Sequence, residues 1–116
     1  MLLDICKAKI SNAVITATEL HYEGSITIDS QIIDAAGILP FEKVQIVNLN
    51  NGNRLETYVI LGASGSGEVC LNGPAARQGY VGDRIHIISY AFMDPQEAKN
   101  FKPKLIKLDE HNHIKN

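Results

Sequence analysis

Glu42-Lys-Val-Gln-Ile-Val-Asn-Leu49 and Arg54-Leu-Glu-Thr-Tyr-Val-Ile-Leu61, joined through Asn51-Gly52, form the stretch that decides the fold. Both runs are rich in β-branched residues, which fit a pleated, half-buried surface. Asn-Gly between two such runs is the strongest short-range hairpin signal. On the return strand, a period of two sends Leu55, Thr57, Val59 and Leu61 to one face and Arg54, Glu56, Tyr58 and Ile60 to the other. The first set is apolar enough to face a core. Arg54 and Tyr58 then share the opposite face, roughly 13 Å apart along the strand; a solvent-facing Arg/Glu/Tyr ladder is the plain reading of that set.

Outward from the hairpin, the chain keeps the same character. Residues 3–11 read as a strand whose alternation turns Lys7 and Lys9 to one face, ordinarily the solvent face. Residues 13–18 predict a second strand, 26–28 a third, 68–72 another, 84–93 the most apolar one, and 104–108 a closing one. Asp29 or Ser30 is placed to cap a short helix that Gly37 ends, and Asp94-Pro95-Gln96-Glu97 has the form of a second helix start. Residues 110–116 are expected to fray. Many short strands with two or three one-turn helices make the class mainly β, a small mixed barrel rather than a sandwich or a parallel α/β sheet.

At 116 residues this is a single domain, spanning 1–116, with little room for a private cleft, so a homo-oligomer that completes its sites at subunit boundaries is expected. The net charge of -2 and scattered basic residues argue against a nucleic-acid partner. No apolar run is long enough to span a bilayer, and Asp4, Lys7 and Lys9 interrupt any signal-peptide core, which excludes a membrane role on this reading. Cys6 and Cys70 make no CxxC spacing and no disulfide framework; they read as small buried hydrophobes in a reducing cytoplasm. His111 and His113 have no companion ligand, so no metal site is expected. His86, alone on a strand, reads as packed or surface-exposed. The loop Gly62-Ala-Ser-Gly-Ser-Gly67 lacks the Lys-Ser/Thr of a phosphate-binding loop and serves as a connection.

The chemistry is expected at Leu20-His-Tyr-Glu-Gly-Ser-Ile-Thr-Ile-Asp29, where a Gly24-Ser25 bond lies between two strand-like runs. The plain reading is a hairpin in which Gly24 takes a positive φ and Ser25 begins a strand. The chemical reading has the Ser25 hydroxyl attack the Gly24 carbonyl and shift the acyl group from nitrogen to oxygen. Elimination from the ester then cuts the chain and leaves dehydroalanine, which hydrolyses to a pyruvoyl group on residue 25.

Tyr22-Glu-Gly-Ser-Ile-Thr-Ile-Asp29 resembles the processing site of the bacterial aspartate 1-decarboxylases, and further motifs lie in register with it. They are Lys9-Ile10, Asn51-Gly52, Arg54 with Thr57-Tyr58, Gly65-Ser66-Gly67, Asn72-Gly73 and Val81-Gly82-Asp83, covering about residues 3–108. The resemblance implies a double-psi β-barrel and a zymogen cleaved into 1–24 and 25–116. It also implies a cytoplasmic homotetramer that decarboxylates L-aspartate to β-alanine for pantothenate and coenzyme A, through a Schiff base to the Ser25-derived pyruvoyl group. It makes Lys9, Arg54, Thr57, Asn72, Gly73, Pro74 and Ala75 substrate-binding, Tyr58 the proton donor, and Gly24, Ser25, Thr57 and Asn72 the processing set. Asn72 is expected to polarise the Gly24 carbonyl or hold the imine. Thr57 alternates away from Tyr58, so a bulge or a neighbouring subunit is expected to bring it to the site.

Two departures stand out. Ser11-Asn12 replaces the family's His-Arg, and Pro74 replaces an alanine, removing one backbone donor. Two rivals remain open on the residues alone: a hydrolase using Ser25 with its amine intact, and a non-catalytic barrel binding an acidic metabolite through Arg54 and Lys9.

Overall fold

A computed structural model describes residues 1–115. Eight strands form one mixed sheet: β1 (Leu3–Val14), β2 (Ala17–Glu19), β3 (Ser25–Asp29), β4 (Lys43–Asn48), β5 (Arg54–Gly62), β6 (Val69–Asn72), β7 (Arg84–Met93) and β8 (Lys104–Lys107). Helices α1 (Ser30–Ala36) and α2 (Pro95–Asn100) and a 3-10 turn over Gly73–Arg77 complete it. The class is mainly β with three short helices, as expected. The strand order is β2-β6-β3-β5-β4-β7-β1-β8, with β2·β6, β3·β5 and β1·β8 parallel and the other neighbours antiparallel.

The β4–β5 hairpin pairs without interruption from Lys43↔Tyr58 to Val47↔Arg54. Gly52, at φ 76°, donates its N–H to the Asn48 carbonyl at 2.9 Å, a backbone conformation that favours glycine. Alternation sends Val44 and Ile46 inward beside Ile85, Ile87, Ile26, Ile28 and Val59, all at most 1% exposed. Stiff β-branched side chains dominate this core, and each fully buried isoleucine contributes roughly 1.5–3 kcal/mol. Leu61 departs from the expected inward face and is 45% exposed. Strand β4 stops opposite Tyr58, so the end of β5 is paired on one side only.

Residues 13 and 14 belong to β1 rather than to a separate second strand. Asn12 takes a left-handed φ of 64°, and the register with β7 shifts between Ile10 and Ala13. The shift frees the Asn12 N–H to donate to His86 Nδ1 at 3.2 Å. Lys7 falls at another register shift and pairs with Glu42 at 2.7 Å, whereas Lys9 stays in register opposite Ile88.

The helix caps form as read. The Asp29 carboxylate accepts from the Gln31 N–H at 2.9 Å, Gly37 closes α1 at φ 69°, and Asp94 accepts from the Glu97 N–H. The glycine-rich loop does more than connect strands: Gly65 and Gly67 each donate an N–H to the Asp29 carboxylate at 2.9 Å. Residues 110–114, part of the tail expected to fray, instead fold back onto the sheet. Asn112, 2% exposed, accepts from the Val14 N–H at 2.8 Å and donates to the carbonyls of Val14 and Gly67. Asn116, the end of the expected tail, lies outside the described residues. Among the described residues no helix is long and apolar enough to cross a membrane.

Candidate active site

Strand β3 begins at Ser25 and lies between β5 and β6. Pairing with β6 sets Ser25 directly opposite Asn72, and Ser25 is fully buried. The Asn72 amide donates from Nδ2 to Ser25 Oγ and to Thr27 Oγ1, both at 2.9 Å. The Ser25 hydroxyl donates to the Glu23 carbonyl at 3.2 Å. Asn72 thus meets the serine hydroxyl, where the sequence reading has it polarise the Gly24 carbonyl or hold the imine.

Gly24 is not left-handed; the positive φ falls across from it, at Gly73, φ 64°. A Cβ on Gly73 would lie 2.7 Å from the Tyr22 carbonyl oxygen and 2.9 Å from both Cα and N of Gly24. Only a residue without a side chain lets the β6 end approach the Gly24-Ser25 bond so closely. Pro74 follows as the second residue of the 3-10 turn, its fixed φ suited to that first turn and its missing N–H unneeded there. The Pro74 ring borders Gly24.

The parallel β3·β5 register pairs Ile26 with Val59, which places Gly24, two residues earlier, beside Thr57. Gly24, Thr57, Pro74 and Ala75 share a hollow of about 270 Å³. A second hollow, of about 360 Å³, joins Gly24 and Thr57 to Tyr58 and Lys43. Thr57 therefore lines the same hollows as Gly24 within one chain, and no bulge interrupts β5 there. Glu56 lines both hollows and was not singled out in sequence.

Lys9 and Arg54 line neither hollow. Both sit on the outer face of the sheet: Arg54 opposite Val47 at the start of β5, Lys9 opposite Ile88 on β1. Three strand spacings and one row separate them, roughly 15 Å. Among the described residues, no carboxylate lies within ion-pair reach of either. Tyr58 shares this outer face, opposite Lys43, and its ring stacks on Phe41 with centroids 6.2 Å apart. His86, opposite Val47, is lowered in pKa by burial and by the nearby Lys9 charge. A further hollow of about 400 Å³ over Asp4, Gln45 and Tyr90 touches neither Ser25 nor Asn72.

Cys70 also belongs to the network. Two residues before Asn72 on β6 and 4% exposed, its thiol donates to Asn72 Oδ1 at 3.3 Å. Burial and then the charges of Glu68 and Glu19 push the thiol pKa up, so it keeps its proton. The signal was legible in spacing: positions 70 and 72 share a strand face.

A mainly β fold that buries a serine behind a hollow lined by Gly24, with an asparagine amide donating to its hydroxyl, defines a small β protein with a polar site built around one hydroxyl. The family model for aspartate decarboxylase matches residues 1–115, and the chain belongs to that family. It is 58% identical over 106 residues to the aspartate 1-decarboxylase of Thermoanaerobacter pseudethanolicus, covering 91% of each chain. It is 54% identical to that of Carboxydothermus hydrogenoformans over 98% of this chain and 90% of the relative. A rationally designed protein, mkDPBB_sym_86, aligns over 68% of this chain and 91% of its own with a TM-score of 0.49 and 15% identity.

Proposed function

We propose that this chain cleaves itself between Gly24 and Ser25 and that the matured protein decarboxylates L-aspartate at the α-carboxylate to β-alanine. The observation that carries the reading is the buried Ser25 hydroxyl held by Asn72 at 2.9 Å while Gly73 presses on the backbone of Gly24. These residues fit a pyruvoyl group made in place: a hydroxyl beside its own preceding carbonyl, a donor on that hydroxyl, and a hollow leading to it.

Maturation begins when Ser25 Oγ bonds to the Gly24 carbonyl carbon; the C–N bond breaks, and the nitrogen of residue 25 takes up the proton, leaving an ester. The α-proton of residue 25 then departs and the Cβ–Oγ bond breaks, so Oγ leaves as part of the Gly24 carboxylate. Asn72 donates to that same oxygen, where negative charge develops, and so favours the bond breaking. Water finally replaces the nitrogen, releasing ammonia and leaving a ketone. That ketone supplies an electrophile for the substrate amine and a sink for the electron pair left by carbon dioxide.

The remaining assignments concern the substrate. Arg54 offers a carboxylate two parallel hydrogen bonds and Lys9 a point charge, a pair suited to a diacid. Tyr58, on the rim of the Gly24 hollow, donates the proton that the decarboxylated carbon needs. Thr57, Asn72, Gly73 and Ala75 hold the substrate from the hollow side, with Pro74 contributing shape but no N–H. Lys9 and Arg54 lie on an outer face that also exposes Phe92 and Tyr90, which supports a homo-oligomer whose packed copies close the substrate site, a tetramer by family resemblance. Free cysteines support a reducing cytoplasm, and β-alanine is a building block for pantothenate.

Intact mass tests the reading. The matured protein is expected as pieces of 24 and 92 residues, together the 116 of the chain, with no free amine on the larger. Aspartate with borohydride then leaves a covalent adduct on that piece. An ordinary serine at its end would refute the assignment.

A further inference from the structure

The geometry points to Cys70 as a positioning residue for chain cleavage, acting through Asn72. This rests on the self-cleavage reading and extends it to a side chain outside the processing set. An asparagine amide is nearly symmetric in shape, so its neighbours decide which end faces the nucleophile. Here three neighbours fix it. The Cys70 thiol lies 3.3 Å from Oδ1, nearer than its other acceptor, the Leu71 carbonyl at 3.9 Å, and the two amide hydrogens are divided between Ser25 Oγ and Thr27 Oγ1. Ser25, Asn72 and Cys70 are sealed from water at 0%, 3% and 4% exposure, while Thr27 is half-buried.

Turning the amide over would set its NH₂ against the thiol sulfur, only a weak acceptor, and face two hydroxyls with a carbonyl oxygen. The Ser25 hydroxyl would then donate to Asn72 in place of the Glu23 carbonyl, and no donor would remain on Oγ. Without a hydrogen donor at position 70, both orientations become accessible and the productive one is diluted.

The test monitors the appearance of the 24- and 92-residue pieces by intact mass after synthesis, for the parent chain and for Cys70→Val, Cys70→Ser, Asn72→Ala and the double variant Cys70→Val/Asn72→Ala. Cys70→Val is expected to slow cleavage roughly 3- to 10-fold, the rate equivalent of one neutral hydrogen bond. Cys70→Ser, which keeps a donor, is expected to cleave within about twofold of the parent on the same grounds. In the Asn72→Ala background the valine should add nothing, because the group it acts through is gone.

Cleavage of Cys70→Val at the parent rate, or a further loss in the double variant, overturns the inference. Should the valine variant fail to fold, Cys70→Ala is read by the same criteria. An uncut parent chain, or cleavage that survives Ser25→Ala, defeats the self-cleavage reading instead.

Discussion

Single atoms decide this site. Gly73→Ala would set a methyl carbon 2.7 Å from the Tyr22 carbonyl oxygen, at a φ of 64° that side chains rarely adopt. Backbone strain of this kind costs on the order of 1–3 kcal/mol, and the overlap adds to it. The variant is expected to melt at a lower temperature and to remain largely uncut on a denaturing gel. Tyr58→Phe works the other way. It removes one oxygen on the rim of the hollow and leaves Ser25, Asn72 and Gly73 untouched. Cleavage should proceed normally while kcat falls by about 10²-fold, the usual worth of a placed proton donor. Full turnover in Tyr58→Phe would remove the phenol from its assigned role.

At the scale of elements, the join between β3 and α1 is held by one carboxylate. Asp29 ends the strand that Ser25 begins, caps the helix, and draws in the glycine-rich loop through Gly65 and Gly67. Burial alone would raise its pKa, but the hydrogen bonds from Gly67, Gln31 and Gly65 outweigh that and hold the carboxyl below its ordinary value. Glu42 is held low in the same way: burial raises it, while Lys7 and Ser89 more than offset the rise. A folded pKa below the unfolded one means that the unfolded chain binds protons first. The stabilisation is therefore complete above about pH 5 and drains away as pH falls through the folded values. Asp29→Asn should cost about 2 kcal/mol at neutral pH and flatten the acid limb of a melting-temperature profile. An unchanged acid limb would show that the carboxylate is not what ties these elements together.

The same elements show how far sequence carries. The hairpin, both helix caps and the strand at 84–93 were legible because each arises from neighbours within a few residues. The Asp29 loop was not, since its donors lie 36 and 38 residues away and glycines advertise no partner. Thr57 was misplaced for a related reason: strand alternation describes β5 by itself, whereas its approach to Gly24 comes from the parallel register of β3 against β5. The double-psi name rested on resemblance, because composition stops at "small mixed barrel".

For the whole molecule, the C-terminal turn acts as a clasp. Asn112 joins β1 at Val14 to the loop at Gly67, and Leu108 bridges to Ile114. Truncation after Leu108 or Asn112→Ala is expected to destabilise by about 1–3 kcal/mol, the cost of leaving buried polar groups unmet, measurable by denaturant titration. An unchanged midpoint would mean that the turn merely rests on the surface.

Under the proposed cleavage, the strand order would also govern the fate of the two pieces. Residues 1–24 contribute β1, wedged between β7 and β8, and β2, at the sheet margin against β6, while everything else belongs to the larger piece. Cutting after Gly24 would thus sever the covalent tie but leave the short piece woven into its partner. Refolding from denaturant would then be a bimolecular event whose yield depends on concentration, whereas the uncut chain would refold alone. Maturation would therefore act as a ratchet, leaving an enzyme that is easier to keep than to remake.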